Sequence, residues 1–190
     1  MLKVRSFDDL ADTYKAFGVL GGDEQKASEA MQKIEADTLA VAEKIPDSPE
    51  AQRSTAVIFY AGGNIALKLE NSIVGQMLHV LGVKNIATGL TPANPGSETA
   101  PLDIEAIIAK QPDSVLITSM SSSNEEAKDA VTKEFSSNNG WKAIDAVREN
   151  KVSFLPQQYF LYNAGPYYAD ALKYLSATIY PETFGEPVEP

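Results

Sequence analysis

The chain has 190 residues, no cysteine and one histidine, and its 26 acidic against 16 basic side chains leave a formal net charge of −10. With lysines and arginines scattered singly, that balance repels phosphate backbones and excludes nucleic acid as a partner. The absence of cysteine removes disulfides, thiolate metal ligands, thiol nucleophiles and any lipid-anchoring cysteine within this sequence.

An apolar content of 44% suits a folded chain, and the length suits one core or one domain with an appendage. Ser6 and Asp9 have the S-x-x-D form of a capping box. Leu10, Tyr14 and Phe17 follow at helical spacing until Gly18 and the Gly21-Gly22 pair. Asp23 caps a second, longer helix whose stripe is Ala27, Ala30, Met31, Ile34, Thr38, Val41 and Ile45, closed by Pro46. At 1.5 Å per residue this helix is expected to be about 33 Å long. Residues 47–54 read as a linker.

From Thr55 the pattern changes to alternating strands and helices. "TAVIFYA", "KNIA", "SVLITS" and "KVSFLP" read as strands, and "YAGGNIALKLENS" reads as a strand-to-helix turn. The helices expected are "SIVGQMLHVLG", "DIEAIIAK", "NEEAKDAVTKEF", "WKAIDAVREN" and "GPYYADALKYLSATIY", the last with Pro166 in its first turn. Strands rich in Val, Ile and Leu and separated by helices predict right-handed crossovers and a sheet covered on both faces. The fold class expected is α/β: a Rossmann-like three-layer sandwich with a mostly parallel sheet of about four strands, preceded by a long helix.

The familiar signatures of catalysis are missing. Neither G-x-G-x-x-G, nor G-x-x-x-x-G-K-[ST], nor G-x-S-x-G occurs. The one histidine, His79, sits between Leu78 and Val80 of a helix and reads as structural. "NEEAKD" reads as a wet helix face rather than a metal site. No catalytic residue, intrinsic cofactor or metal ligand set is expected. The alternative is a Rossmann-like enzyme domain centred on Ser121 to Ser123 or Tyr159, or a ligand-free interaction module. No apolar run approaches the roughly 20 residues that span a bilayer, and "MLKVRSFDDL" lacks the apolar core of a signal peptide. As written, the sequence reads as soluble and without a signal segment.

Open parallel sheets bind ligands beyond the carboxyl ends of their strands. The loops expected there are 61–65, 88–101, 118–124 and 157–163. They are polar and aromatic rather than charged. Candidate ligand-binding residues are Tyr60, Asn64, Met120, Ser121, Tyr159, Tyr162 and Asn163, with Asn94, Ser122 and Gln158 beside them. Tyrosine offers a rigid contact surface with a hydroxyl at its tip; "QQYFLYNAGPYY" reads equally well as a loop packed onto the sheet edge.

The order of "AVIFYAGGNIALKLENSIVGQMLHVLGVKNIA", "LDIEAIIAKQPDSVLIT", "WKAIDAVRENKVSFLP" and "YNAGPYYADALKYLSATIYPE", after a long helix, resembles one class of ABC-importer substrate-binding proteins. These carry iron-siderophores, haem or cobalamin, and their two α/β lobes are joined by a single long helix. The resemblance implies that residues 1–22 are the end of an N-terminal lobe otherwise missing here, 23–46 the interlobe helix, and 55–184 the C-terminal lobe. It implies a substrate-binding component importing a ferric siderophore or haem, with Tyr159 and Tyr162 as ligands to haem or ferric iron or as stacking surfaces. Glu105 falls where such lobes present a glutamate to arginines of the membrane permease. The full-length protein is then extracytoplasmic, periplasmic or a cell-surface lipoprotein, and this sequence a truncated domain of it. The strand-end loops hold no Arg or His, which leaves the chelate open.

Overall fold

The computed structural model describes residues 4–48, 52–121 and 124–189. The linker expected over 47–54 and the serines 122 and 123 fall partly or wholly outside them.

Helix α1 (Phe7–Gly21) starts at the capping box: Asp9 N–H donates to Ser6 Oγ at 3.1 Å, and Asp9 Oδ2 accepts from Ser6 N–H at 3.1 Å. Such a cap is worth about 1 kcal/mol because it satisfies amide groups the helix cannot. Helix α2 (Glu24–Ala42) is capped by Asp23 and turns Ile34, Thr38 and Val41 inward. It ends three residues before the expected stop at Ile45, so it is about 28 Å long rather than about 33 Å. The chain leaves α2 in tight turns, with Lys44 N–H on the Val41 carbonyl and Ile45 N–H on the Ala42 carbonyl. Ile45 still packs on the core.

Strand β1 (Ser54–Ala61) does not turn into a helix, as the sequence reading had it. It folds straight back into β2 (Asn64–Lys68), antiparallel, through Gly62 and Gly63. Both glycines have positive φ, 54° and 83°, which is the backbone a two-residue hairpin turn requires. Helix α3 (Ile73–Val80) follows, capped by Ser72, then β3 (Lys84–Asn85) and β4 (Thr99–Pro101). Helix α4 (Ile104–Lys110), capped by Asp103, leads to β5 (Ser114–Met120) and α5 (Asn124–Ser137). The single helix expected across "WKAIDAVREN" is split into a 3-10 turn, Trp141–Ala143, and one turn of α6, Asp145–Arg148. After β6 (Val152–Phe154) comes a π-helical turn, Gln158–Asn163, where an open loop was expected. A 3-10 turn holding Pro166 (Gly165–Tyr167) precedes α7 (Tyr168–Ile179) and α8 (Pro181–Phe184).

Among the described residues the sheet has six strands, in the order β4-β2-β1-β5-β6, with β3 beside the start of β1. The sequence reading counted about four because β2 and β4 escaped it. The β1-β3, β1-β5 and β5-β6 pairings are parallel; β1-β2 and β2-β4 are antiparallel. Alternate residues of β1 and β5 feed two cores. Val57 and Leu116 meet Leu10, Ile34, Val41, Met77 and Leu172 on one face, while Ile58 and Ile117 meet Ile107, Val131 and Trp141 on the other. Sheet and two helical layers make the Rossmann-like three-layer α/β sandwich. Trp141, fully buried, stacks at 4.4 Å on Phe135 and donates its indole N–H to Glu134 Oε1 at 3.3 Å.

Candidate functional site: the carboxyl ends of the parallel strands

Strands β1, β5 and β6 run in the same direction; the registers bring the ends of β1 and β5 level, and β6 stops at Phe154 opposite Ile117. Tyr60 lies opposite Ser119 and Ala61 opposite Met120. Leu155 N–H, just past β6, donates to the Ile117 carbonyl at 2.8 Å. Asn64 lies opposite Ala61 across the hairpin, so the tip of the β1-β2 turn stands at this end too. Tyr60, Asn64, Met120 and Ser121 are thus neighbours on one rim.

They do different things there. Tyr60 is 9% exposed and belongs to the core beside α4 and α5, so its ring forms a floor rather than a reaching arm. Met120 is 54% exposed, a soft apolar surface at the very end of β5. Asn64 is exposed, its amide 3.5 Å from the Gly62 carbonyl. Ser121 is half-buried and offers its carbonyl inward.

The π-helical turn comes from β6 and closes the rim on the other side. Tyr159 is half-buried and packs edge-on against Phe160, at 6.0 Å and 88°, and against Tyr174 of α7, at 6.4 Å and 67°. Burial, with Asp170 and then Tyr167 nearby, pushes its phenol above the ordinary value of 10.0. With no metal beside it, the hydroxyl is therefore protonated at neutral pH and available to donate a hydrogen bond. Tyr162 and Asn163 lie in the backbone of the same turn, and their side chains are outside the described ones.

The loop 88–101 does not join this rim over residues 88–98; only its last three residues, β4, run toward it. Strand β3 pairs with Ser54 and Thr55 at the start of β1, so its carboxyl end emerges at the opposite side of the sheet from the tips of β1 and β5. The chain then runs into β4, whose Thr99 pairs with Lys68 of β2, and Leu69 N–H takes the Glu98 carbonyl at 2.9 Å. Asn94 is carried away with it.

Glu105 is exposed on the first turn of α4. Pro101, three residues before this helix, pairs with Ala66, itself opposite Phe59; at the helix's other end, Asp113 N–H reaches the Ser54 carbonyl at 2.9 Å. Helix α4 therefore runs counter to β5, and its first turn points toward the rim end of the sheet. His79 is exposed on the last turn of α3, far along the chain from any rim element. Among the described residues no group of three or more His, Asp or Glu side chains converges as a metal site would need.

One rim residue escaped the sequence reading. Gln157 donates from Nε2 to Ser119 Oγ at 3.0 Å and to the Ser121 carbonyl at 3.4 Å, joining the end of β5 to the π turn. Its only signal in the sequence is its place, two residues after the last apolar residue of "KVSFLP".

Comparison with known proteins agrees with this architecture. The family model for periplasmic binding proteins matches residues 2–159. An ABC transporter substrate-binding lipoprotein of Bacillus subtilis (strain 168), YvrC, itself uncharacterised, is 26% identical over 183 residues, which is 96% of this chain and 53% of the relative. The chain thus spans about half the length of the curated relative it matches. Among solved structures, an ABC transporter substrate-binding protein from Listeria monocytogenes EGD-e superposes with a TM-score of 0.80 at 19% identity, over 95% of this chain and 67% of that one. S. aureus IsdE complexed with heme superposes with a TM-score of 0.82 at 18% identity, again over 95% and 67%.

Proposed function

The chain belongs to the periplasmic binding protein family, and on that premise we propose that it supplies one wall of the ligand cleft in the substrate-binding component of an ABC importer for an iron chelate, a ferric siderophore or haem. The observation that carries this reading is the common rim. Two parallel strands and one hairpin turn end together, with the turn after β6 beside them through Gln157, and the side chains gathered there are apolar or neutral polar: Met120, Tyr60, Asn64 and Ser121. A surface of that kind suits a large organic chelator better than a small charged solute, because it offers contact area and hydrogen bonds without an uncompensated charge.

In this reading residues 55–184 are one lobe and α2, within residues 23–46, is the helix that joins it to another, while α1, expected to close that other lobe, packs on this one through Leu10 and Phe7. A relative about twice as long, described as a substrate-binding lipoprotein, supports this and an extracytoplasmic location. Haem enters as a candidate through IsdE, which shares the fold. Tyr159 either ligates the iron, which would displace its phenolic proton, or donates to or stacks on the chelator. Glu105 is the permease-docking acid: an exposed carboxylate on a first helical turn offers both oxygens to a guanidinium, which favours orientation and rapid encounter. The role is binding, not catalysis.

The test is titration of the chain with haem, followed by absorbance, and with ferric hydroxamate and catecholate chelates, followed by quenching of tyrosine and tryptophan emission. Saturable binding of at least one chelate, weakened by Met120→Glu, is the expected result. Failure of every chelate to saturate, or binding indifferent to Met120→Glu, contradicts the reading.

A further inference from the structure

Gln157 stands between two elements of the rim and touches both. It follows Leu155 and Pro156 at the exit of β6 and immediately precedes the π-helical turn Gln158–Asn163. A π turn is wide and poorly held by its own hydrogen bonds, and it persists where its surroundings support it. The support here has two parts. Phe160 is 1% exposed and anchors the turn from below among Tyr174 and the other residues of the α7 core. The Gln157 carboxamide holds it from the side, placing its two N–H groups on two acceptors of β5's end, Ser119 Oγ and the Ser121 carbonyl. Ser119 is 4% exposed and lies opposite Tyr60, so the contact is continuous with the floor of the rim.

We propose that Gln157 is the positioning residue of the rim: its side-chain amide fixes the π-helical turn against the tip of β5 and so sets the gap in which a ligand is received. The proposal rests on the cleft reading for the word ligand, but not for the geometry. Glutamine suits the task for a plain reason. Only a neutral side chain with two donors on one atom reaches a hydroxyl and a carbonyl at once without bringing a charge into a half-buried place.

Amide hydrogen exchange across residues 158–163 tests it without any ligand. Gln157→Leu keeps the size and removes both donors, Ser119→Ala removes one acceptor, and Gln157→His restores an N–H at a similar reach. Loss of both bonds should speed exchange in 158–163 by about tenfold, as expected for one or two partly buried hydrogen bonds. Ser119→Ala should give a smaller rise and Gln157→His a return toward the original rate, with α7 unchanged in all three. Unaltered exchange in 158–163 on Gln157→Leu overturns the proposal, and so does an equal rise throughout α7, which would mark general loosening.

A second readout separates positioning from mere support. The ratio of affinities for haem and a ferric hydroxamate should change in Gln157→Leu; equal affinities and an equal ratio, with the turn loosened, overturn the positioning role. If the unsubstituted chain binds neither, the cleft reading fails on its own, and the exchange result alone decides whether Gln157 fixes the turn.

Discussion

Arg5 Nε lies 2.7 Å from Glu98 Oε1, an ion pair between the start of the described chain and the loop before β4, in a geometry bent away from a linear hydrogen bond. Lys68 Nζ of β2 sits 3.5 Å from the other oxygen of the same carboxylate and 4.4 Å over the ring of Phe59. Glu98 is thus shared by two cations, and Lys68, 8% exposed, is the more deeply buried of them. Glu98→Gln should cost about 1–3 kcal/mol, because it leaves a buried ammonium without its partner while the partly exposed Arg5 contact is discounted by solvent. Arg5→Gln should cost less. Urea unfolding midpoints of the two variants rank them.

The same Lys68 makes a pH signature. Burial lowers its ammonium pKa from the ordinary 10.5, with Glu98 opposing the shift. The unfolded chain therefore binds more protons than the folded one just below pH 10.5, so this group's contribution to stability rises with pH through that window and is constant above it. Lys68→Met should remove that rise. Unfolding free energies compared from pH 8 upward should show the original gaining stability relative to the variant as pH increases toward 10.5; a difference that stays constant contradicts the assignment.

Gly75 sits where helix α3 meets the backbone of the turn that leads into it from β2. A Cβ built there would lie 2.3 Å from the Leu69 carbonyl oxygen and 2.8 Å from Glu70 Cα, both backbone atoms that cannot step aside cheaply. Gly75→Ala should destabilise by about 1–3 kcal/mol despite alanine's better helix propensity. Thermal melting checks it, and an unchanged midpoint would mean α3 is free to shift.

Much of the fold is legible from the sequence because apolar runs and caps act locally. Ser6 and Asp23 announce two helix starts, and each accepts the backbone N–H that a cap should, as Ser72 and Asp103 do at two more. The hairpin escaped that reading. Its Gly62-Gly63 pair looks like a strand-to-helix turn when β2, "NIALK", is too short to alternate convincingly, although two glycines between apolar runs are also a hairpin signal. Strand β4 was hidden for another reason: three residues, one a proline, carry no periodicity, and only pairing with β2 makes them a strand. The rim was half legible. Tyr60, Met120 and Ser121 share it because the parallel direction of β1 and β5 was readable, whereas Asn64 arrives through the hairpin that was not. Asn94 departs because β3 pairs with the wrong end of β1, and Gln157 was overlooked because a side-chain bridge leaves no pattern in the sequence.

Docking through Glu105 has its own outcome. Glu105→Arg reverses an exposed charge on α4 without touching the rim, so chelate affinity should be unchanged while uptake in cells relying on the importer falls by at least about tenfold, the size of one lost charge-assisted contact. Undiminished uptake assigns Glu105 to the helix dipole alone.

The most direct measurement maps where a chelate touches. Backbone amide shifts recorded on adding a gallium-loaded hydroxamate, a diamagnetic stand-in for the ferric complex, should move at residues 60–64, 119–121 and 157–163 and leave 88–98 still. Shifts confined to 88–98, or spread over α1 and α2 with those three segments unmoved, would contradict a cleft wall built from the converging ends of β1, β5 and β6.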